Sequence, residues 1–239
     1  MTKHIVFDVV GTCVSYDAFV QAIEQRLGPQ LRAVGISPRL FSFSWQEAAE
    51  REYTYLSISG AYRSFISSVF PQLFQRMLHM AGVADPSTFA SADDVAYIVS
   101  AYASLEVRPG LKKCFEHLRA AGFTVWALTS GDIERVRGYF IHGGVEMPLA
   151  NFISCDSLSV GKPHPEVYRH ALEQLQSSEK PWFAAAHTWD VSAAGRHGFR
   201  TAWCSVFEKF PCVDIFGEME VNADSLPELA EKVIAASQV

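Results

Sequence analysis

Ile5-Val6-Phe7-Asp8-Val9-Val10-Gly11-Thr12 is an apolar run that ends in a carboxylate, followed by a glycine turn and a hydroxyl. A carboxylate at the end of a buried strand is costly unless partners satisfy it. In α/β proteins the carboxyl edge of the sheet is also where ligands bind. Asp8 therefore reads as a covalent nucleophile, as a metal ligand, or as a cap on the following turn. Gly11 lets the backbone turn tightly and offer its N–H groups to a ligand.

Further strands are predicted at 123–129, 151–155, 182–186 and 200–204, with the first over 4–9. They are short, mostly apolar on both faces, and followed by polar residues or glycine, as in a buried parallel sheet. Helices fit between them. Pro109 suits the first position of a helix over 109–121 that Gly122 closes. Asp132 opens a helix to about 142, and Pro165 begins the one carrying Val167, Ala171, Leu172 and Leu175. Asp190 precedes or opens a short helix ending near Gly198, and a terminal helix runs from Leu226 to about Ala236.

Residues 15–104 have a different texture, nearly all helix, with segments near 16–28, 44–58, 61–80 and 92–104. Pro71 predicts a kink or break in the third, and Ser91-Ala92-Asp93-Asp94 is a good start for the fourth. The predicted fold class is α/β, with a parallel-sheet core built from 1–14 and 105–239 and a helical cap, 15–104, inserted after the first strand. Starting beside the end of that strand, the insert is expected to cover the mouth of the site. Its aromatics Phe41, Phe43, Trp45, Tyr53, Tyr55 and Tyr62 read mainly as packing residues, with a few available to line an apolar cavity.

The 239 residues are 49% apolar and 19% charged, which suits a globular chain with a sizeable core. A net charge of -6 and the absence of a dense basic run argue against nucleic acid as a partner. No apolar run reaches membrane-spanning length, so no membrane partner is expected. Met1-Thr2-Lys3-His4 leads straight into the first strand, which leaves no room for a signal peptide. Five cysteines without CxxC spacing fit a reducing, cytoplasmic setting, and Cys13, Cys155 and Cys204 read as small buried hydrophobes.

Three later segments carry chemistry-bearing groups. Thr129-Ser130-Gly131-Asp132 offers hydroxyls after the 123–129 strand, or simply a helix cap. In Gly161-Lys162-Pro163-His164-Pro165-Glu166-Val167-Tyr168 the lysine stands just before a proline-started helix. Its ammonium is either placed to hold a carboxylate ionised or is a solvated surface charge. Ala185-Ala186-His187-Thr188-Trp189-Asp190 follows the 182–186 strand. Asp190 is a general base, a metal ligand or a helix cap; His187 is a proton-transfer or orienting group or a core histidine. His142 and His164 have no zinc-like spacing, no Gly-x-Ser-x-Gly elbow occurs, and the first turn lacks a dinucleotide fingerprint.

Taken in order, these four segments resemble the motifs of the haloacid dehalogenase superfamily, in particular its L-2-haloacid dehalogenase-like (type II) group. The resemblance spans essentially the whole chain. It implies a Rossmann-like core with a helical cap, and a small-molecule substrate. It matches Asp8 to the nucleophile and Thr12 to its support, Thr129 to the second-motif hydroxyl, Lys162 to the lysine paired with the nucleophile, Tyr168 to a supporting tyrosine and Asp190 to the acidic residue beside the nucleophile. In such enzymes the aspartate displaces halide from carbon and the aspartyl ester is then hydrolysed. The resemblance also implies a homodimer and no cofactor.

Several positions depart from that pattern. Superfamily phosphatases carry a second aspartate two residues after the nucleophile, where this chain has Val10, and the dehalogenases usually carry an aromatic there. The cap arginine that clamps a substrate carboxylate matches Gln46, with Arg51 further along the helix; Ser130 replaces an asparagine, and Ala185-Ala186-His187 replaces Ser-Ser-Asn. Losing a cationic clamp costs about 1.5–3 kcal/mol, against roughly 1 kcal/mol for a neutral hydrogen bond. Val10, Gln46, Ser130, Tyr168 and His187 are thus the expected substrate-contacting positions. The leading expectation is an aspartyl-ester hydrolase acting on a haloacid or on a larger, less acidic molecule. The alternatives are a magnesium-dependent phosphohydrolase, an ester or lactone hydrolase of a specialised pathway, and a binding protein on an enzyme fold.

Overall fold

A computed structural model describes residues 3–238. The chain divides into two compact units, one running to Ser15 and resuming at Val107, the other Tyr16–Glu106. Met1 and Thr2, part of the leader reading, lie outside the described residues.

The first unit is built on a six-stranded parallel sheet: β1 (Lys3–Asp8), β2 (Phe123–Thr129), β3 (Phe152–Ser154), β4 (Trp182–Ala185), β5 (Arg200–Cys204) and β6 (Val221–Ala223). The order is β3-β2-β1-β4-β5-β6. The connections lead away from β1 on one side and resume at β4 on the other, so a crevice opens between β1 and β4. Asp8, the last residue of β1, pairs in register with Leu128 of β2. It stands at that crevice because of strand order and because the apolar run stops there. Ile5, Val6 and Phe7 are fully buried, as expected of a central strand covered on both faces. Val6, Leu128, Val167, Tyr168, Phe183, Val191 and Phe199 belong to one apolar cluster under the site.

The strand after 205, β6, was not expected. It has three residues at the sheet edge and carries exposed Asn222 in the middle, too short for a period to show. The helix expected at 109–121 is Leu111–Ala120, and Pro109 is not its first residue. Gly110 takes the N-cap position with a left-handed φ of 82° and leaves the proline in the preceding turn. A Cβ on Gly110 would lie 2.8 Å from Cγ and 2.9 Å from Cδ of Pro227. Gly110→Ala is therefore expected to destabilise the protein by about 1–3 kcal/mol, read as a lower denaturant midpoint with unchanged slope. Pro165–Leu175 and Leu226–Ala236 begin with their prolines placed as the sequence predicts, and Asp132 caps Ile133–His142 by accepting from the Arg135 N–H.

The second unit is helical, with main helices Asp17–Ala33, Pro38–Ile58, Phe74–Met80 and Ala92–Tyr102. The first runs past the end expected near 28, because Leu31 extends the buried face of Phe19, Ile23 and Leu27 by another turn. The second begins earlier than expected, with Ser37 capping it and Pro38 at its first position. The segment around Pro71 breaks as predicted: a π-turn over Phe65–Val69 and a short 3-10 turn precede the helix Phe74–Met80. Ser91 and Asp94 form a reciprocal capping box. Trp45 stacks on Phe70 at 4.3 Å between ring centres and donates its indole N–H to the Phe70 carbonyl at 2.9 Å. Phe41, Trp45 and Tyr53 are packing residues, whereas Phe43 and Tyr55 are exposed. Among the described residues no helix is long and apolar enough to cross a membrane.

Candidate active site

Three segments of the sheet-bearing unit meet at the end of β1. Asp8 is 5% exposed, Lys162 3% and Asp190 fully buried. The Lys162 ammonium donates to Asp8 Oδ1 and to Asp190 Oδ2, both at 2.6 Å. Tyr168 donates its hydroxyl to Asp190 Oδ1 at 2.6 Å. Thr12 donates to Asp8 Oδ2 at 2.6 Å and accepts from the Ala186 N–H at 2.8 Å. His187 Nδ1 lies 3.2 Å from the same Asp8 oxygen.

Local chemistry places each of these groups. Gly11 adopts φ 88°, turning the chain so that Thr12 faces back onto Asp8 four residues earlier. Arg108 ties down this turn, its N–H donating to the Cys13 carbonyl and its Nε to the Gly11 carbonyl. Lys162 precedes a helix whose first turn is fixed by Pro165, and Tyr168 lies on the buried face of that helix. Asp190 sits in the first turn of Thr188–Arg196, after β4, where the helix dipole favours a negative charge. Glu208 caps the same helix from a distant loop, accepting from the Thr188 N–H at 2.7 Å and from the Thr188 hydroxyl.

The electrostatics separate the two carboxylates. Burial is the largest influence on Asp8 and disfavours its charge, but the Lys162 ammonium and then His187 outweigh it and hold Asp8 well below the usual carboxylate range. Burial is also the largest influence on Asp190. Lys162 opposes it, but burial and the nearby charge of Asp8 prevail and raise the Asp190 pKa. Burial alone would lower Lys162; Asp190 and Asp8 instead raise it, so the ammonium stays charged. One carboxylate is thus kept ionised, and its neighbour holds a proton more readily.

The other expected positions behave differently. The Thr129 hydroxyl accepts from the Gly131 N–H at 3.1 Å, a local turn contact. Ser130 hydrogen-bonds the Cys155 thiol, which burial pushes up to about 11. Val10 is half-buried on the turn after Asp8. Gln46 is buried in the helical unit and donates from Nε2 to Glu50 Oε1 at 3.2 Å. Arg51 is exposed beside Glu52, off the buried face that carries Gln46. Arg108 and Glu208 were missed. Neither lies in a periodic or motif-like setting, and each acts through groups brought near by folding.

The model of the haloacid dehalogenase-like hydrolase family matches residues 2–198. The chain belongs to this family. Among curated relatives of this hydrolase, (S)-2-haloacid dehalogenase 1 of Pseudomonas sp. (strain CBS-3) is 26% identical over 98% of this chain and 97% of its own. (S)-2-haloacid dehalogenase 4A of Burkholderia cepacia is 23% identical over 82% of this chain and 80% of its own. The solved L-2-haloacid dehalogenase of Xanthobacter autotrophicus superposes with a TM-score of 0.76 at 20% identity, covering 98% of both chains. That last likeness shows a shared fold. The haloacid dehalogenase-like hydrolase has its carboxylate cluster where this fold places ligands, at the switch point of the sheet.

Proposed function

We propose that this hydrolase cleaves a carbon–halogen bond through an aspartyl ester on Asp8. The observation that carries the reading is the Lys162 ammonium set between Asp8 and Asp190, 2.6 Å from an oxygen of each. An ionised carboxylate fixed by an ammonium and a hydroxyl is a competent nucleophile toward carbon. Asp8 attacks, halide leaves with the bonding electron pair, and the ester forms. Water then adds to the Asp8 carbonyl carbon and gives one proton to Asp190, whose raised proton affinity suits a general base. Collapse releases the alcohol, which takes that proton; the second water proton leaves Asp8 for solvent, and the ionised carboxylate is regenerated. Thr12, Lys162 and Tyr168 position the two carboxylates, while Thr129 and Ser130 shape the adjoining turn.

A phosphohydrolase reading is less well supported. A leaving alkoxide needs a proton donor, and Val10 has none to give. The substrate we propose is a 2-haloacid or a larger, less acidic organohalide: the residue that the sequence matches to the carboxylate-clamping arginine is the neutral Gln46. Halide release from (S)-2-chloropropionate, 2-bromopropionate and a longer 2-bromoacid, beside phosphate release from p-nitrophenyl phosphate, tests this with and without EDTA. Halide release indifferent to the chelator is expected. Phosphate release that EDTA abolishes, with no halide from any probe, would sink the reading.

A further inference from the structure

The two oxygens of Asp8 have unlike surroundings. Oδ2 meets both the Thr12 hydroxyl, at 2.6 Å, and His187 Nδ1, at 3.2 Å. Oδ1 meets the Lys162 ammonium, which is shared with Asp190. A carboxylate oxygen has two lone pairs in its plane. Those of Oδ2 face two donors; the second lone pair of Oδ1 is the one assigned to carbon. The Thr12 proton is committed to Asp8, because the Thr12 oxygen itself accepts from the Ala186 N–H. Asp8 is ionised and carries no proton, so the contact with His187 requires the proton on Nδ1. Two aromatic rings hold the imidazole in place, Phe207 at 5.2 Å and Trp189 at 5.8 Å between centres.

We infer that His187 and Thr12 together form the oxyanion site of the second step, and that Oδ1 is the oxygen that attacks. The inference rests on the aspartyl-ester reading and adds an atom-level assignment to it. When Oδ1 is alkylated, Oδ2 becomes the carbonyl oxygen of the ester. Water adds to Cγ, the carbonyl π pair moves onto Oδ2, and the negative charge grows between the Thr12 hydroxyl and the His187 Nδ1–H. Collapse returns that pair to the carbonyl and breaks the Cγ–Oδ1 bond, so Oδ1 leaves in the alcohol and the water oxygen takes its place. Donors already aimed at the charge cost no reorganisation when it forms. His187 is therefore a catalytic residue for ester hydrolysis rather than a contact for substrate alone.

Oxygen labelling reads the assignment directly. The wild-type enzyme turns over 2-bromopropionate many times in heavy-oxygen water, and the peptide carrying Asp8 is weighed. A single heavy oxygen at saturation is expected, because Oδ2 never leaves. Two heavy oxygens would show that either oxygen attacks and would overturn the assignment. No label after many turnovers overturns the aspartyl-ester reading itself and this inference with it. His187→Ala is expected to slow ester hydrolysis on the order of 10²-fold, so that the alkylated peptide accumulates after a rapid quench. His187→Asn, which keeps an N–H donor, is expected to restore most of the hydrolysis rate. A His187→Ala enzyme that accumulates no ester overturns the donor role.

Discussion

Lys162→Met is expected to abolish turnover and to cost about 3–5 kcal/mol of stability. The ammonium is the cation shared by Asp8 and Asp190, and methionine fills its volume without its charge. Both carboxylates then stay buried, side by side, with hydroxyl and imidazole partners but no ammonium. Their folded-state pKa values rise above the unfolded value of about 4, because burial and mutual repulsion now dominate. A carboxyl group with a raised folded pKa is more stable in the fold when protonated. The deficit should therefore be full at pH 8 and narrow as the pH falls through the raised values. Thermal unfolding of both proteins at pH 8 and pH 5 checks this. A variant as stable as the wild type at pH 8 would mean that the ammonium does not hold the pair.

Asp8→Asn separates the chemistry from the fold. Loss of turnover on the order of 10⁴-fold or more is expected, since an amide oxygen is a poor nucleophile toward carbon. Its carbonyl oxygen can still accept from Thr12 and His187, and Lys162 still has Asp190. The shift in thermal midpoint should thus be much smaller than for Lys162→Met. Steady-state halide release and far-UV circular dichroism on the same preparation distinguish the two effects. Wild-type turnover in a pure Asp8→Asn enzyme would remove Asp8 from the mechanism. A control for slow conversion of the asparagine back to aspartate is a mass measurement of the peptide before and after assay.

Much of the core was legible because its signals are local. An apolar run ending in Asp8 reads as a buried strand, and Pro165 and Pro227 each fix a helix start through a restrained φ. Ser91 and Asp94 announce a capping box within four residues of sequence. Reading went wrong where competing local signals were close in strength. Pro109 suggested a helix start that the left-handed Gly110 postpones, and the segment expected to end near 28 is carried on by the buried Leu31.

By itself the sequence determined the strand that carries Asp8, the rigid setting of Lys162, and the placing of Asp190 just after a later strand. Those are properties of short segments, set by side-chain period and backbone restraint. Only the tertiary structure decided that one ammonium serves two carboxylates and that Thr12 and His187 share Oδ2. Lys162 lies 154 residues from Asp8, and His187 lies 179. Contacts of 2.6 to 3.2 Å across such separations follow from the order and register of β1 and β4. The energy that selects among them is the cost of leaving a buried charge without a partner, which no segment carries alone.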